Sequence, residues 1–213
     1  QLRAGWKGSN NGTAGDLDLD ALVLNGHSVS IDLRPSTLFF GRMPPAPDCR
    51  HDAGRYSVWF KPAGLMTQGT AFGDHCALVR LAELQLRPRP VHPVHRLDRE
   101  AAGLVLLAHD GEAAAAFSRL FAERRIVKGY RVEVRGRPPV ESGRIELALD
   151  GQPALTRYRL VRCDPAAGTC ALEVETATGR KHQIRRHLAL LGAPVIGDPR
   201  YGHGNKDPGG LRL

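Results

Sequence analysis

Asp98 stands in the stretch His95-Arg96-Leu97-Asp98-Arg99-Glu100, just ahead of the uncharged run Gly103-Leu104-Val105-Leu106-Leu107-Ala108. A carboxylate at the mouth of a buried strand, flanked by cations, is held in its ionised form. Such a group is a candidate nucleophile or base, and the alternative is a surface loop whose charges pair with one another. A second concentration lies at Gly179–His187, where Arg180, Lys181, Arg185 and Arg186 fall among His182 and His187. At the start of a helix these cations would add to the dipole and grip a phosphate or a carboxylate. Ile184, Leu188 and Leu191 recur at +4 and +7 and set one helix face in the core. Arg185 adjoins that face and needs an anion, whereas Lys181 and Arg186 are free to meet solvent or phosphate. Tyr130 lies on a strand, where core packing is the ordinary role of a tyrosine. His92, His95 and Asp98 are spaced three apart, but Pro93 prevents the helix that would gather them, so no metal site is expected.

The elements that must position these residues can be traced along the chain. Its 213 residues suffice for one sizeable core with an appendage, and 42% apolar content excludes a disordered tail. No run of about 18 apolar residues suggests a membrane helix. A net charge of +8 points to a polyanionic partner, with nucleic acid first, and the low aromatic content favours an electrostatic cleft over a base-stacking platform. Gln1–Asp20 reads as a polar lead-in and not as a signal peptide. Ala21–Ile31 reads as a hairpin around Asn25-Gly26, and the proline-rich Met43–Pro47 as a linker. Residues 1–54 are assigned to this N-terminal segment and 55–213 to the main domain. Within the latter, Tyr56–Phe60 and Gly103–Ala108 are expected strands, and Ala77–Leu84 and Ala113–Phe121 expected helices. Ile126–Val134, Arg144–Leu147, Thr156–Val161 and Ala171–Glu175 alternate as strands, before a helix over His182–Leu191. The class is α+β, with a largely antiparallel sheet flanked by helices. None of the four cysteines forms a CxxC pair. Cys163 and Cys170 could face one another across a hairpin, but free thiols in a cytoplasmic protein are expected.

Five segments resemble the RluA-type family of RNA pseudouridine synthases: Lys61-Pro62-Ala63-Gly64-Leu65; His95-Arg96-Leu97-Asp98 with Gly103–Ala108; Lys128-Gly129-Tyr130; Gly179–His187; and Gly192–Gly202. They occur in the family's order across roughly residues 55 to 205. The resemblance implies the pseudouridine synthase fold, with a catalytic cleft across the sheet, and an isomerase that turns uridine into pseudouridine without a cofactor. It assigns Asp98 as the catalytic aspartate, Tyr130 as the residue that stacks on the base and takes a proton, and Arg185 as the partner of Asp98. Arg96 is assigned to the space left by the flipped base. Substrate contacts are assigned to His95, Leu97, Lys128, Arg180, Lys181, His182, Gln183 and Arg186, with His182, Gln183 and His187 read as scaffold or backbone-contacting residues and not as general bases. The implied partner is RNA, either tRNA or rRNA, met by a monomer with no membrane and no obligatory protein partner. The competing function is a non-catalytic RNA-binding or RNA-chaperone protein on the same scaffold. Two departures stand out. Ala101 and Ala102 replace the family's Thr-Ser pair, which predicts altered tuning without loss of activity. The sequence stops at Gly210–Leu213, where the family runs on into a further strand, which predicts a shortened and less stable C-terminus.

Overall fold

The computed structural model describes residues 23–24, 27–31, 38–40, 46–69, 77–202, 207 and 209–213. The chain divides into two compact units, Gln1–Met43 and Pro44–Leu213. In the first, β1 (Val23–Leu24), β2 (His27–Ile31) and β3 (Leu38–Phe40) form an antiparallel sheet in that order. Leu24 pairs with His27, so two residues join β1 to β2. The expected Asn25-Gly26 turn itself lies outside the described residues, as does the lead-in Gln1–Asp20.

The second unit is built on two four-stranded antiparallel sheets, where the sequence suggested one. The first has the order β4-β5-β7-β6, from β4 (Asp48–Asp52), β5 (Tyr56–Lys61), β6 (His92–Pro93) and β7 (Gly103–Ala108). On β5, Ser57, Trp59 and Lys61 are buried while Tyr56, Val58 and Phe60 are half-buried, the period of two that a pleated strand imposes. Trp59, Val105 and Leu107 pack with Leu78 and Ala82 of α1 (Leu78–Leu86) and with Leu65 and Val91. The Trp59 indole N–H donates to Ser57 (2.7 Å), whose hydroxyl meets the buried His109 (2.7 Å). The other face meets α2 (Gly111–Ala122), whose Phe117 lies edge-on to Tyr56. Asp110 caps α2 by accepting the Ala113 N–H at 2.7 Å. α1 matches the helix expected over Ala77–Leu84 and runs two residues beyond it.

The second sheet has the order β8-β11-β10-β9, from β8 (Gly129–Arg135), β9 (Ser142–Glu146), β10 (Leu155–Asp164) and β11 (Thr169–Thr176). Its inner face carries Val132, Val134, Tyr158, Leu172 and Val174, against which Ile184 and Leu188 of α3 (Gln183–Leu190) pack. Its outer face is a ladder of exposed pairs, Arg157–Glu175 and Arg159–Glu173, each adding little stability. The last residues run beside β8: Glu133 N–H donates to Arg212, and Ala102 N–H to Leu213. Cys163 and Cys170 are joined as a disulfide, against the expectation of free thiols. The β10–β11 register, shifted between Leu160 and Arg162, sets them directly opposite each other. Among the described residues no helix is long and apolar enough to cross a membrane.

Candidate active site

The loop between β6 and β7 presents Asp98, and what fixes it is mostly backbone. Lys61 closes β5 at an inward position and is fully buried. Its ammonium donates to the carbonyls of Ala101 (2.6 Å), Leu65 (2.8 Å), Pro62 (3.1 Å) and Arg99 (3.3 Å). Burial pulls its pKa down to about 8, against the opposing pull of Glu100 and Asp98, so it is an ammonium at neutral pH. Gly64 N–H donates to Arg99 (2.7 Å) and Ala101 N–H to Asp98 (3.2 Å), closing a turn. The Thr67 hydroxyl donates to the Leu97 carbonyl (3.0 Å) and lies 3.1 Å from the Leu97 nitrogen. The loop is thus tied down on both sides of the carboxylate.

Arg185 reaches Asp98 from α3. Its side chain is 2% exposed, and its Nε and Nη2 donate to the two oxygens of the fully buried Asp198 at 2.7 and 2.8 Å. The third nitrogen, Nη1, faces Asp98 Oδ2 at 3.4 Å and Glu100 at 3.5 Å. The anion that Arg185 required is therefore first of all Asp198, and Asp98 receives what remains of the guanidinium. Burial alone would raise the Asp198 pKa, but Arg185 and the N–H groups of Tyr201 and Arg200 outweigh it and hold the carboxyl below its usual range. Arg185 is itself raised: burial opposes its charge, and Asp198 and Asp98 overcome that.

Tyr130 is half-buried on β8. Burial raises its pKa, with Asp98 pushing the same way and a hydrogen bond with Thr176 opposing, so it stands as a neutral phenol. His182 precedes α3 in the left-handed region (φ 53°, ψ 32°). Its Nδ1 lies 3.0 Å from the Tyr201 hydroxyl, and its Nε2 faces Asp98 Oδ2 at 3.9 Å.

Not every residue singled out by sequence faces this centre. The His95 ring accepts the Leu106 N–H at 2.9 Å and lies against Phe121, and burial lowers its pKa to about 4. Leu97 packs into the first sheet's core. Gln183 is buried and bonds Thr178, Leu155, Thr156 and the Arg180 N–H, which ties the start of α3 to β10 and to the segment before the helix. His187 likewise joins Thr156 to the Leu147 carbonyl. Lys128 donates to the Thr178 carbonyl (2.9 Å), Arg180 Nε to Pro153 (3.0 Å), and Arg186 grips Asp150 in a bidentate pair. Among the described residues, the side chains of Arg96 and Lys181 are exposed and make no hydrogen bond or ion pair. Sequence reading missed Lys61, Thr67, Asp198 and Tyr201 as parts of the site. Lys61 had a signal, since a lysine in phase with Ser57 and Trp59 must point into the core; Asp198 and Tyr201 fall in the family-like segment Gly192–Gly202, but no spacing in that aperiodic loop singled them out.

With the geometry in place, the chain can be set beside known proteins. Residues 55–190 match the family model described as RNA pseudouridylate synthase. The chain belongs to this family. Among pseudouridine synthases it is 38% identical to an uncharacterized RNA pseudouridine synthase of Chloroflexus aurantiacus, over 67% of this chain and 50% of that protein. It is 31% identical to tRNA pseudouridine synthase C of Vibrio parahaemolyticus, over 68% of this chain and 69% of that one. The solved human RNA pseudouridylate synthase domain containing 4 superposes with a TM-score of 0.62 at 26% identity, over 72% of this chain and 68% of its own. The chain thus spans about half the length of the first of these relatives, and the stretch that matches holds Lys61, Asp98, Tyr130 and Arg185.

Proposed function

We propose that this chain isomerises uridine to pseudouridine in structured RNA, tRNA or rRNA, with Asp98 as the catalytic carboxylate. The observation that carries the reading is the 3.4 Å approach of Arg185 Nη1 to Asp98, made by a guanidinium whose other donors are locked on Asp198, in a chain of this family. A carboxylate so placed faces a fixed guanidinium and stays partly open, with 22% of its side chain exposed. The N1–C1′ bond breaks and C1′ joins C5; the C5 proton leaves and N1 gains one. Atoms balance within the uridine, so no co-reactant enters. Because C5 and C1′ are shielded in a stack, the base must first turn out. The exposed Arg96 beside Asp98 would enter the vacated space, and the neutral Tyr130 ring would lie against the flipped base.

The test is tritium release from RNA labelled at uridine C5, comparing the chain with its Asp98→Asn variant. Asp98 is partly exposed and Arg185 keeps Asp198 as its anion, so the amide is tolerated, and release should vanish while RNA binding persists. Unchanged release would remove Asp98 from the chemistry. Loss of RNA binding alongside intact folding would make the loop a binding element only.

A further inference from the structure

We propose that Tyr201 fixes His182 as its Nε2–H tautomer, so that His182 and Tyr201 act together as a positioning pair for the Asp98 carboxylate. The inference rests on the reading of Asp98 given above, but its central claim is about a proton on a ring nitrogen.

The two nitrogens of His182 have different neighbours. Nδ1 is 3.0 Å from the Tyr201 hydroxyl, and Nε2 is 3.9 Å from Asp98 Oδ2. A neutral imidazole has one donor and one acceptor, and the hydrogen bond made by one nitrogen decides the state of the other. If the phenol donates to Nδ1, the proton sits on Nε2 and its dipole points at the carboxylate. The opposite tautomer would aim a lone pair at Asp98. The carboxylate, an acceptor only, therefore selects the Nε2–H form, and the Tyr201 hydroxyl locks it by donating to the bare Nδ1.

The neutral ring is favoured by its surroundings. The groups facing it are Asp98 and Glu100 of the loop, Lys181 beside it, Arg185 of α3 and Tyr201. Burial, Arg185 and Lys181 disfavour the imidazolium more than Asp98 and Glu100 favour it. Tyr201 is in turn held rigidly. Its N–H donates to Asp198 Oδ1 at 3.0 Å, its ring lies edge-on to His182, and the Arg185 guanidinium sits 5.4 Å from its centre. One buried carboxylate thus orders both groups that face Asp98: Arg185 directly, and His182 through Tyr201. The left-handed backbone of His182 fits this reading, because a non-glycine residue holds that conformation only where surrounding contacts impose it.

The experiment is two-bond proton–nitrogen correlation NMR on the full chain labelled with 15N-histidine, with His182 assigned from a His182→Gln variant. The wild type should give the Nε2–H pattern for His182. Tyr201→Phe keeps the ring beneath Arg185 but removes the hydroxyl. It should yield mixed tautomers, a His182 titration moved to higher pH, and a kcat for tritium release lowered about fivefold, with KM for RNA unchanged. Asp98→Asn, read by NMR alone, should move the His182 titration to lower pH. An Nδ1–H pattern in the wild type overturns the proposal, as does a Tyr201→Phe spectrum and titration identical to the wild type. If Asp98→Asn leaves release intact, the functional reading fails while the tautomer assignment is still decided by the spectra.

Discussion

Replacing Lys61 by methionine tests the claim that the catalytic loop is set by a buried cation. Methionine fills nearly the same volume, so the change removes the ammonium without opening a large cavity. Four carbonyls then lose a charged donor: Ala101, Leu65, Pro62 and Arg99. Three protons shared among four acceptors, at roughly 2 kcal/mol for each charge-assisted bond, put the loss at about 6 kcal/mol. Against this stands the relief of no longer keeping an ammonium out of water; the fall of its pKa from 10.5 to about 8 equates to roughly 3 kcal/mol. The net expectation is a destabilisation of about 3 kcal/mol, or a folding equilibrium reduced on the order of a hundredfold. The loop loses its hold on the C-terminal side of Asp98 while Thr67 still holds Leu97 before it, so kcat should also fall about 100-fold in the fraction that remains folded. Urea unfolding followed by the fluorescence of the buried Trp59 reports the first quantity, and tritium release at low denaturant the second. A variant within about 0.5 kcal/mol of the wild type and within twofold in turnover would refute the reasoning.

Other expectations follow from the same contacts. Asp198→Asn leaves Arg185 buried with its bidentate anion gone, so it should cost about 3 kcal/mol and abolish turnover; an unaltered thermal melt would contradict this. His95 has a folded pKa of about 4 against 6.5 in the open chain. Between those values the unfolded chain binds a proton that the folded chain refuses, so stability is full above pH 6.5. It falls as pH drops toward 4, by up to roughly 3 kcal/mol. Urea midpoints across that range should show the decline, and His95→Gln should flatten it; an equal slope in both proteins rejects the assignment. Lys181→Ala should weaken RNA binding and lower the slope of log affinity against log salt by about 1. Arg186→Ala should do less, because Asp150 already matches that charge; equal slopes would count against the distinction.

What the sequence made legible was whatever burial patterns strongly. The uncharged β7, the strand at Tyr56–Phe60, and the Ile184–Leu188 spacing on α3 each emerged as expected, because removing a face from water dictates which positions are apolar. Asp98 was singled out because a carboxylate before such a strand is conspicuous. β4 was not found: its residues are mostly exposed, and it is an edge strand held by main-chain pairing to β5, which leaves no trace in side-chain type. The cations of Gly179–His187 do not act as one group: Arg180 donates to Pro153, Arg186 to Asp150 and Arg185 to Asp198, which the run of charges in sequence could not tell apart. Arg185 was correctly seen to need an anion, but periodicity could not say that Asp198, thirteen residues on in a loop, would take two of its three nitrogens. Such pairings are tertiary facts, written in no local period.

The same distinction explains how the loop can do without the hydroxyls that Ala101 and Ala102 lack. The ties that these two residues give the turn after Asp98 are all made by their main-chain atoms: the Ala101 N–H to the Asp98 carbonyl, the Ala101 carbonyl from Lys61, and the Ala102 N–H to the Leu213 carbonyl. A side chain at either position can change without removing one of them. The Ala101 methyl is 3% exposed and lies in the core with Val132 and Leu211, so the position is constrained by volume and not by hydrogen bonding. Restoring threonine at 101 would have to fit an added methyl and hydroxyl into that packed space, whereas serine at the exposed 102 meets solvent. The cost of reverting the pair should therefore fall almost wholly on position 101, and Asp98 keeps its place in either case so long as Lys61 holds the Ala101 carbonyl.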